Sequence, residues 1–173
     1  MLEPEGGQRL ARTSPSAQVV GLDVWDPARQ LARHNVTGAG PDDRIELRQP
    51  NVAALQDDRR YDVVWYAGPF ISAAVQEEGL ARCAAALKPG GWLFFSAFAG
   101  RDPLTSALAD LRTLRSGGPV LTDDEIIAAL AGAGRKRTER IPLDIGLPAR
   151  ILVGRRAVED SQGTLSKTCG FPQ

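Results

Sequence analysis

Metal-binding and thiol side chains are nearly absent from this chain, which has one histidine, two cysteines and one methionine in 173 residues. Cys83 and Cys169 have no cysteine or histidine at ligand spacing, so they make neither a metal site nor a disulfide framework. Cys83 lies in an alanine-rich helical pattern and reads as a small buried side chain. An excess of one charge is also missing. Lys+Arg and Asp+Glu both number 21, without the basic surplus of a nucleic-acid footprint, and Arg135-Lys136-Arg137 reads as a solvated edge. No stretch is long and apolar enough for a membrane-crossing helix. The start, Met1-Leu2-Glu3-Pro4-Glu5, is acidic and has no apolar core of a signal peptide. These absences point to a cytoplasmic, reducing setting with neither membrane nor nucleic acid as partner. The sequon Asn35-Val36-Thr37 is then incidental.

What is present is an ordinary globular composition, 43% hydrophobic and 24% charged, in a length that suits one domain with a tail. Such a chain buries roughly 70% of its unfolded surface. Val19 to Val24 reads as a short buried strand that includes Asp23. Asp26 and Pro27 open a helix over Ala28 to Asn35 that ends at Gly38-Ala39-Gly40-Pro41. Arg44 to Arg48 alternates polar and apolar side chains as a strand with one wetter face does. Tyr61 to Tyr66, β-branched and aromatic, is the next strand, and Gly68-Pro69 separates it from a helix over 74–87. That helix is stopped by Pro89, Gly90 and Gly91 permit a tight reversal, and Trp92 to Phe98 is a buried strand. Leucines 104, 108, 111 and 114 have helical spacing. Thr122 and Glu125 form a capping box before Ile126 to Leu130. Thr138 to Leu143 and Ala149 to Gly154 are two strands in a hairpin, and residues 157–173 form a polar tail.

Strands and helices in alternation, closed by a hairpin, imply an α/β fold: a Rossmann-like, doubly wound, mostly parallel sheet in three αβα layers with a C-terminal antiparallel hairpin. Ligands of such sheets sit outside the carboxyl ends of the strands, so the residues after each strand are the functional candidates. Asp23 stands at such an end and can accept from both ribose hydroxyls of a nucleoside; the alternative is that it caps the following helix. Tyr66 ends the strand 61–66, where an aromatic ring can shape an apolar pocket or pack in the core. His34, the one histidine, is placed on the solvent side of its helix and is not taken as a general base.

The run Leu87-Lys88-Pro89-Gly90-Gly91-Trp92 resembles the connection before the fifth strand of class I S-adenosylmethionine (SAM) methyltransferases. Val20-Gly21-Leu22-Asp23 and Tyr61-Asp62-Val63-Val64-Trp65 resemble further segments of that family, and the likeness covers residues 18–156. The family implies strand order 3-2-1-4-5-7-6 and a domain over residues 1–156. It also implies SAM as cofactor and methyl transfer to a small-molecule acceptor. Its glycine-rich motif falls on Glu3, Gly6 and Gly7, where this chain is short by at least one residue and keeps only Met1-Leu2-Glu3-Pro4 for the first strand. Either the central strand is shortened there or the chain is an N-terminally truncated form of a longer protein, so that a non-catalytic or truncated methyltransferase-like protein is the alternative; a disordered acidic leader is the competing reading of these residues. The cofactor positions implied further along are Asp23 and Val24, then Asn51 and Val52, then Tyr66. The family usually has an acid where Asn51 stands, accepting from the exocyclic amine of adenine; a neutral amide there costs about 1 kcal/mol. No residue is assigned as catalytic base. The competing functions are a methyltransferase-like protein with weak or lost SAM binding, favoured by the worn glycine motif and Asn51, and a nicotinamide-dependent oxidoreductase. The latter lacks its G-x-G-x-x-G after a strand.

Overall fold

The computed structural model describes residues 13–38, 43–142 and 148–158. In chain order the elements are β1 (Val19–Leu22), α1 (Asp26–Gly38), β2 (Ile45–Arg48), β3 (Tyr61–Ala67), α2 (Ala73–Ala86), β4 (Leu87–Phe98), α3 (Pro103–Arg115), α4 (Asp123–Gly132), β5 (Arg135–Ile141) and β6 (Ala149–Arg156). Single 3-10 turns, Val52–Ala54 and Gly68–Phe70, follow β2 and β3. The α/β reading holds.

Among the described residues the strands form two sheets, β1-β2 and β3-β4-β6-β5. β1 and β2 are parallel, as are β3 and β4, while β6 runs antiparallel to both β4 and β5. These two runs are the 3-2 and 4-5-7-6 blocks of the implied order. The strand expected between them was read from Met1 to Pro4, which lies outside the described residues, as does the tail beyond Val158.

One core holds the larger sheet. Tyr66 of β3, Leu93 and Phe95 of β4 and Leu152 of β6 point to the same side, as period-2 alternation requires. Leu80 and Cys83 of α2 and Ile126 and Leu130 of α4 complete this cluster. Each fully buried aliphatic or aromatic side chain there contributes about 1.5–3 kcal/mol. Leu22 and Val52 pack against the same cluster, which brings the β1-β2 pair to the edge of the larger sheet. α4 begins where the sequence placed it: the Thr122 hydroxyl accepts from the Glu125 N–H at 3.2 Å, and the Glu125 carboxylate accepts from the Thr122 N–H at 2.7 Å.

Three readings are revised in detail. The Pro89-Gly90-Gly91 reversal lies inside β4 rather than before it. Leu87 pairs with Tyr61 and Trp92 with Val63, so residues 88–91 loop out opposite the single residue Asp62. Gly90, at φ +78°, takes the left-handed conformation that this bulge demands. The leucines at 104, 108, 111 and 114 do form a helix, yet they are 51–70% exposed, and α3 instead buries Ala109 and Thr113. The periodicity found the helix but not its inward face. Arg135, read as a solvated edge residue, starts β5 and is buried, whereas Lys136 and Arg137 are exposed.

The connection from β2 to β3 is held by charge. Asp57 accepts from Arg48 at 2.7 Å, from Arg60 at 3.1 Å and from the Tyr61 hydroxyl at 2.7 Å. The Tyr61 hydrogen bond and the two guanidinium groups hold its carboxyl below the usual carboxylate range. A depressed folded-state pKa stabilises above the unfolded value near 3.9, and that stabilisation is lost as pH falls through the folded value. Acid titration of stability should therefore show a loss below about pH 4 that is smaller in Asp57→Asn, whose stability is already lower at neutral pH. Ile126→Ala should cost about 3 kcal/mol in denaturant unfolding, because the emptied site lies at the centre of the core.

Candidate functional site

The carboxyl ends of β1, β2 and β3 present the candidate residues. Asp23 follows β1 directly, with its N–H donating to the Arg48 carbonyl at 3.2 Å, so the strand ladder itself sets its position. One carboxylate oxygen of Asp23 accepts from the Trp25 N–H at 2.8 Å. That bond fixes the side-chain rotamer in a short Asx turn and leaves the second oxygen for a ligand. Asp26 is the first residue of α1, and its carboxylate pairs with the Arg29 side chain and accepts from the Gln30 amide at 2.6 Å rather than from helix N–H groups. Val24 beside Asp23 is 62% exposed, a large apolar side chain at the mouth of the site.

Asn51 follows β2 and caps the 3-10 turn Val52–Ala54: its Oδ1 accepts from the Ala53 N–H at 3.0 Å. The amide oxygen that the sequence reading offered to a base amine is therefore already half engaged. Val52 packs against α2 at Gly79, where a Cβ would stand 2.7 Å from Val52 Cγ1 and 2.9 Å from the Tyr66 hydroxyl. Only a glycine lets helix, turn and tyrosine approach so closely.

Tyr66 contributes to the site by its backbone rather than its ring. The ring is 2% exposed, stacks on Phe95 with centroids 5.4 Å apart, and donates its hydroxyl to the Gln76 carbonyl at 3.1 Å. Burial pushes its phenol well above the ordinary tyrosine range, so it stays neutral. Burial also pushes the Cys83 thiol up to about 12, which keeps it un-ionised and unreactive.

The aromatic surface at this end of the sheet comes from Phe70, which meets Phe98 edge-on at 5.9 Å and is 41% exposed. Arg112 of α3 lies over Phe98 at 4.3 Å. Phe98 and Arg112 were not among the sequence candidates. Phe98 is distinguishable only as the last residue of a strand, and Arg112 has no motif at all. Beneath them is a recess lined by Gly68, Phe98, Asp110, Thr113 and Arg150, no larger than a water molecule. The structure thus brings Val52 and Tyr66 together at Gly79, with Asn51 capping the turn that holds Val52 and with Asp23 and Val24 after β1. Glu3, Gly6 and Gly7 lie outside the described residues. Among the described residues no cluster of histidine, cysteine or carboxylate side chains could hold a metal ion, and His34 is exposed on α1.

Comparison with known proteins bears on the family and the fold. A family model described as a methyltransferase domain matches residues 5–91. The ubiquinone biosynthesis O-methyltransferase of Nitrosospira multiformis is 33% identical over 89 residues, covering 50% of this chain and 36% of that protein. The chain therefore spans little more than a third of that relative's length. An O-methyltransferase family protein from Burkholderia thailandensis superposes with a TM-score of 0.71 at 19% identity, over 88% of this chain and 47% of its own. Human N-acetylserotonin methyltransferase, solved with SAM, gives 0.66 at 17% identity, over 88% and 44%. Half of its length falls within the family model, and the chain belongs to the class I SAM-dependent methyltransferases.

Proposed function

We propose that this domain binds SAM across the carboxyl ends of β1, β2 and β3 and transfers its methyl group to an oxygen nucleophile on a small molecule. The observation that carries the cofactor reading is Asp23: a carboxylate held at a strand end by Trp25, with one oxygen left to accept from ribose hydroxyls. A charge-assisted hydrogen bond of this kind is worth about 1.5–3 kcal/mol. Val24 and Val52 supply apolar surface on which a purine can lie, and the backbone after Tyr66 leads into the Gly68–Phe70 turn toward the acceptor side. The O-methyltransferase names among the relatives support oxygen as the atom methylated.

SAM supplies a sulfonium methyl that an in-line nucleophile can displace. The protein's share is placement and exclusion of water, and no side chain at these strand ends is assigned as a base. Phe70 and Phe98 offer the apolar wall against which an acceptor ring would be held.

Asn51 favours a second reading, a family member that retains the fold with weakened cofactor affinity. Its neutral amide is engaged as a cap, and it lacks the charge assistance that an acid would give an exocyclic amine.

Calorimetry with S-adenosylhomocysteine separates the two readings. Binding by the intact protein, weakened about tenfold or more in Asp23→Ala, is expected; no heat of binding to the unaltered protein sinks the cofactor assignment. Gly79→Val tests the packed turn. The added side chain must displace Val52, so affinity should fall about fivefold or more while the protein stays folded by circular dichroism.

A further inference from the structure

Two phenylalanines and an arginine from three separate segments meet at the carboxyl end of the larger sheet. Phe70 closes the 3-10 turn after β3, Phe98 is the last residue of β4, and Arg112 lies in the last turn of α3. Backbone packing holds these segments together. Thr113, next to Arg112, is buried and donates its hydroxyl to the Ala109 carbonyl at 3.0 Å. Gly118, just past the helix, donates its N–H to the Thr113 carbonyl at 3.2 Å. It lies so close to Pro69 that a Cβ there would stand 2.5 Å from the Pro69 carbonyl oxygen. The end of α3 is thereby seated on the turn that carries Phe70.

What this seat leaves unused is hydrogen-bonding capacity. Among the described residues three arginines lie over aromatic rings: Arg60 on Tyr61, Arg112 on Phe98 and Arg155 on Trp92. Arg60 is also paired with Asp57, and Arg155 donates to the Gly90 carbonyl. The Arg112 guanidinium has no ion pair and no hydrogen bond among the described residues, so its exposed planar fork of donors is held on a ring and left unfilled. The nearby Arg150 is committed to the Leu121 carbonyl and to Asp123, which also takes Arg140. Asp110 lines the recess beneath and is not paired with Arg112, so an anion is drawn to the Arg112 rim rather than into the recess. Arg115, in the same turn of α3, has the same favourable place at a helix C-terminus and no ring beneath it. The helix dipole therefore does not account for the seating of Arg112 on Phe98.

We propose that Arg112 determines acceptor specificity and that the acceptor is an aromatic acid, its ring against the exposed Phe70 and its carboxylate on the Arg112 fork. This rests on the reading of Phe70 and Phe98 as the acceptor wall. Phe70 and Arg112 touch the one Phe98 ring, at 5.9 and 4.3 Å, which sets them within the reach of a single small aromatic acid. A wholly apolar acceptor lying on this wall would strip water from an unpartnered charge. A carboxylate replaces that water with paired, charge-assisted hydrogen bonds.

The probes are para-hydroxybenzoate and its methyl ester, the same ring and hydroxyl with and without the charge. Their affinities are read by saturation-transfer NMR on the full chain, without cofactor. The acid should bind about tenfold tighter than the ester. Arg112→Met keeps an apolar stem on Phe98; it should abolish that preference and leave the ester unchanged, while Arg112→Lys keeps part of it. Arg115→Met removes an equal charge from the same turn and should keep the preference whole. Phe70→Ala should weaken acid and ester alike, by about fivefold, with their ratio unchanged. The proposal is overturned by no binding of either probe, by equal affinity for the two, by a preference that survives Arg112→Met, or by one lost equally in Arg115→Met. Calorimetry with S-adenosylhomocysteine on the same protein keeps the two readings apart. An acid preference without S-adenosylhomocysteine binding sinks the cofactor assignment and supports the aromatic-acid site; S-adenosylhomocysteine binding without an acid preference sinks this proposal alone.

Discussion

The junction between the two sheets governs everything at the site. Among the described residues, side chains of the β2-to-β3 connection tie the β1-β2 pair to the larger sheet. At one end Arg48, Asp57, Arg60 and Tyr61 form a charged cluster with hydrogen bonds of 2.7–3.1 Å. At the other, Val52 and Tyr66 close on Gly79. The first is geometrically specific, and because Asp57 is largely buried it is less screened by salt than a surface pair. The second is dry and tolerates no added atom. Together they fix the connection at two points.

The α2 to β4 region is held by comparably close packing. α2 presents Leu80 and Cys83 to the sheet, then ends at Leu87, which is fully buried. The chain must reverse at once, and it does so by a four-residue excursion opposite Asp62 whose Lys88 ammonium returns to that carboxylate at 2.8 Å. Arg155 donates to the Gly90 carbonyl at 3.0 Å, tying the excursion to β6. This region is scaffold. It delivers Phe95 beneath Tyr66 and Phe98 beside Phe70, which are the contacts that shape the ligand end of β3.

The sequence carried the fold better than the site. Every element with a strong local signal was legible: the Thr122 capping box, the Pro89 stop and the β-branched run of β3. The sheet arrangement followed from alternation plus family likeness. The leucine spacing located α3 without its inward face, for a physical reason. Four leucines at helical spacing outvote Ala109 and Thr113 in any hydrophobic pattern, but the close approach of Gly68, Pro69 and Gly118 to one another and to neighbouring backbone leaves room there only for small side chains. At the site, residue type predicted position but not orientation. Tyr66 was read as a possible wall of the ligand pocket, yet strand parity sends its ring into the core and leaves Phe70, one 3-10 turn later, at the surface. Parity is fixed by which face α2 covers, and that is a tertiary fact.

Asp23 and Tyr66 belong to different sheets, and this has a thermodynamic consequence. A ligand that touches both strand ends binds only the arrangement in which the two sheets are correctly placed, so it stabilises the junction by the amount of its differential affinity. Linkage makes the effect reciprocal: whatever stiffens the junction raises ligand affinity by the same factor. The Asp57 cluster and the Gly79 contact both lie on the connection between the two strand ends. A ligand bridging the two strand ends would therefore respond to acidification at Asp57 or bulk at Gly79 through the placement of those ends.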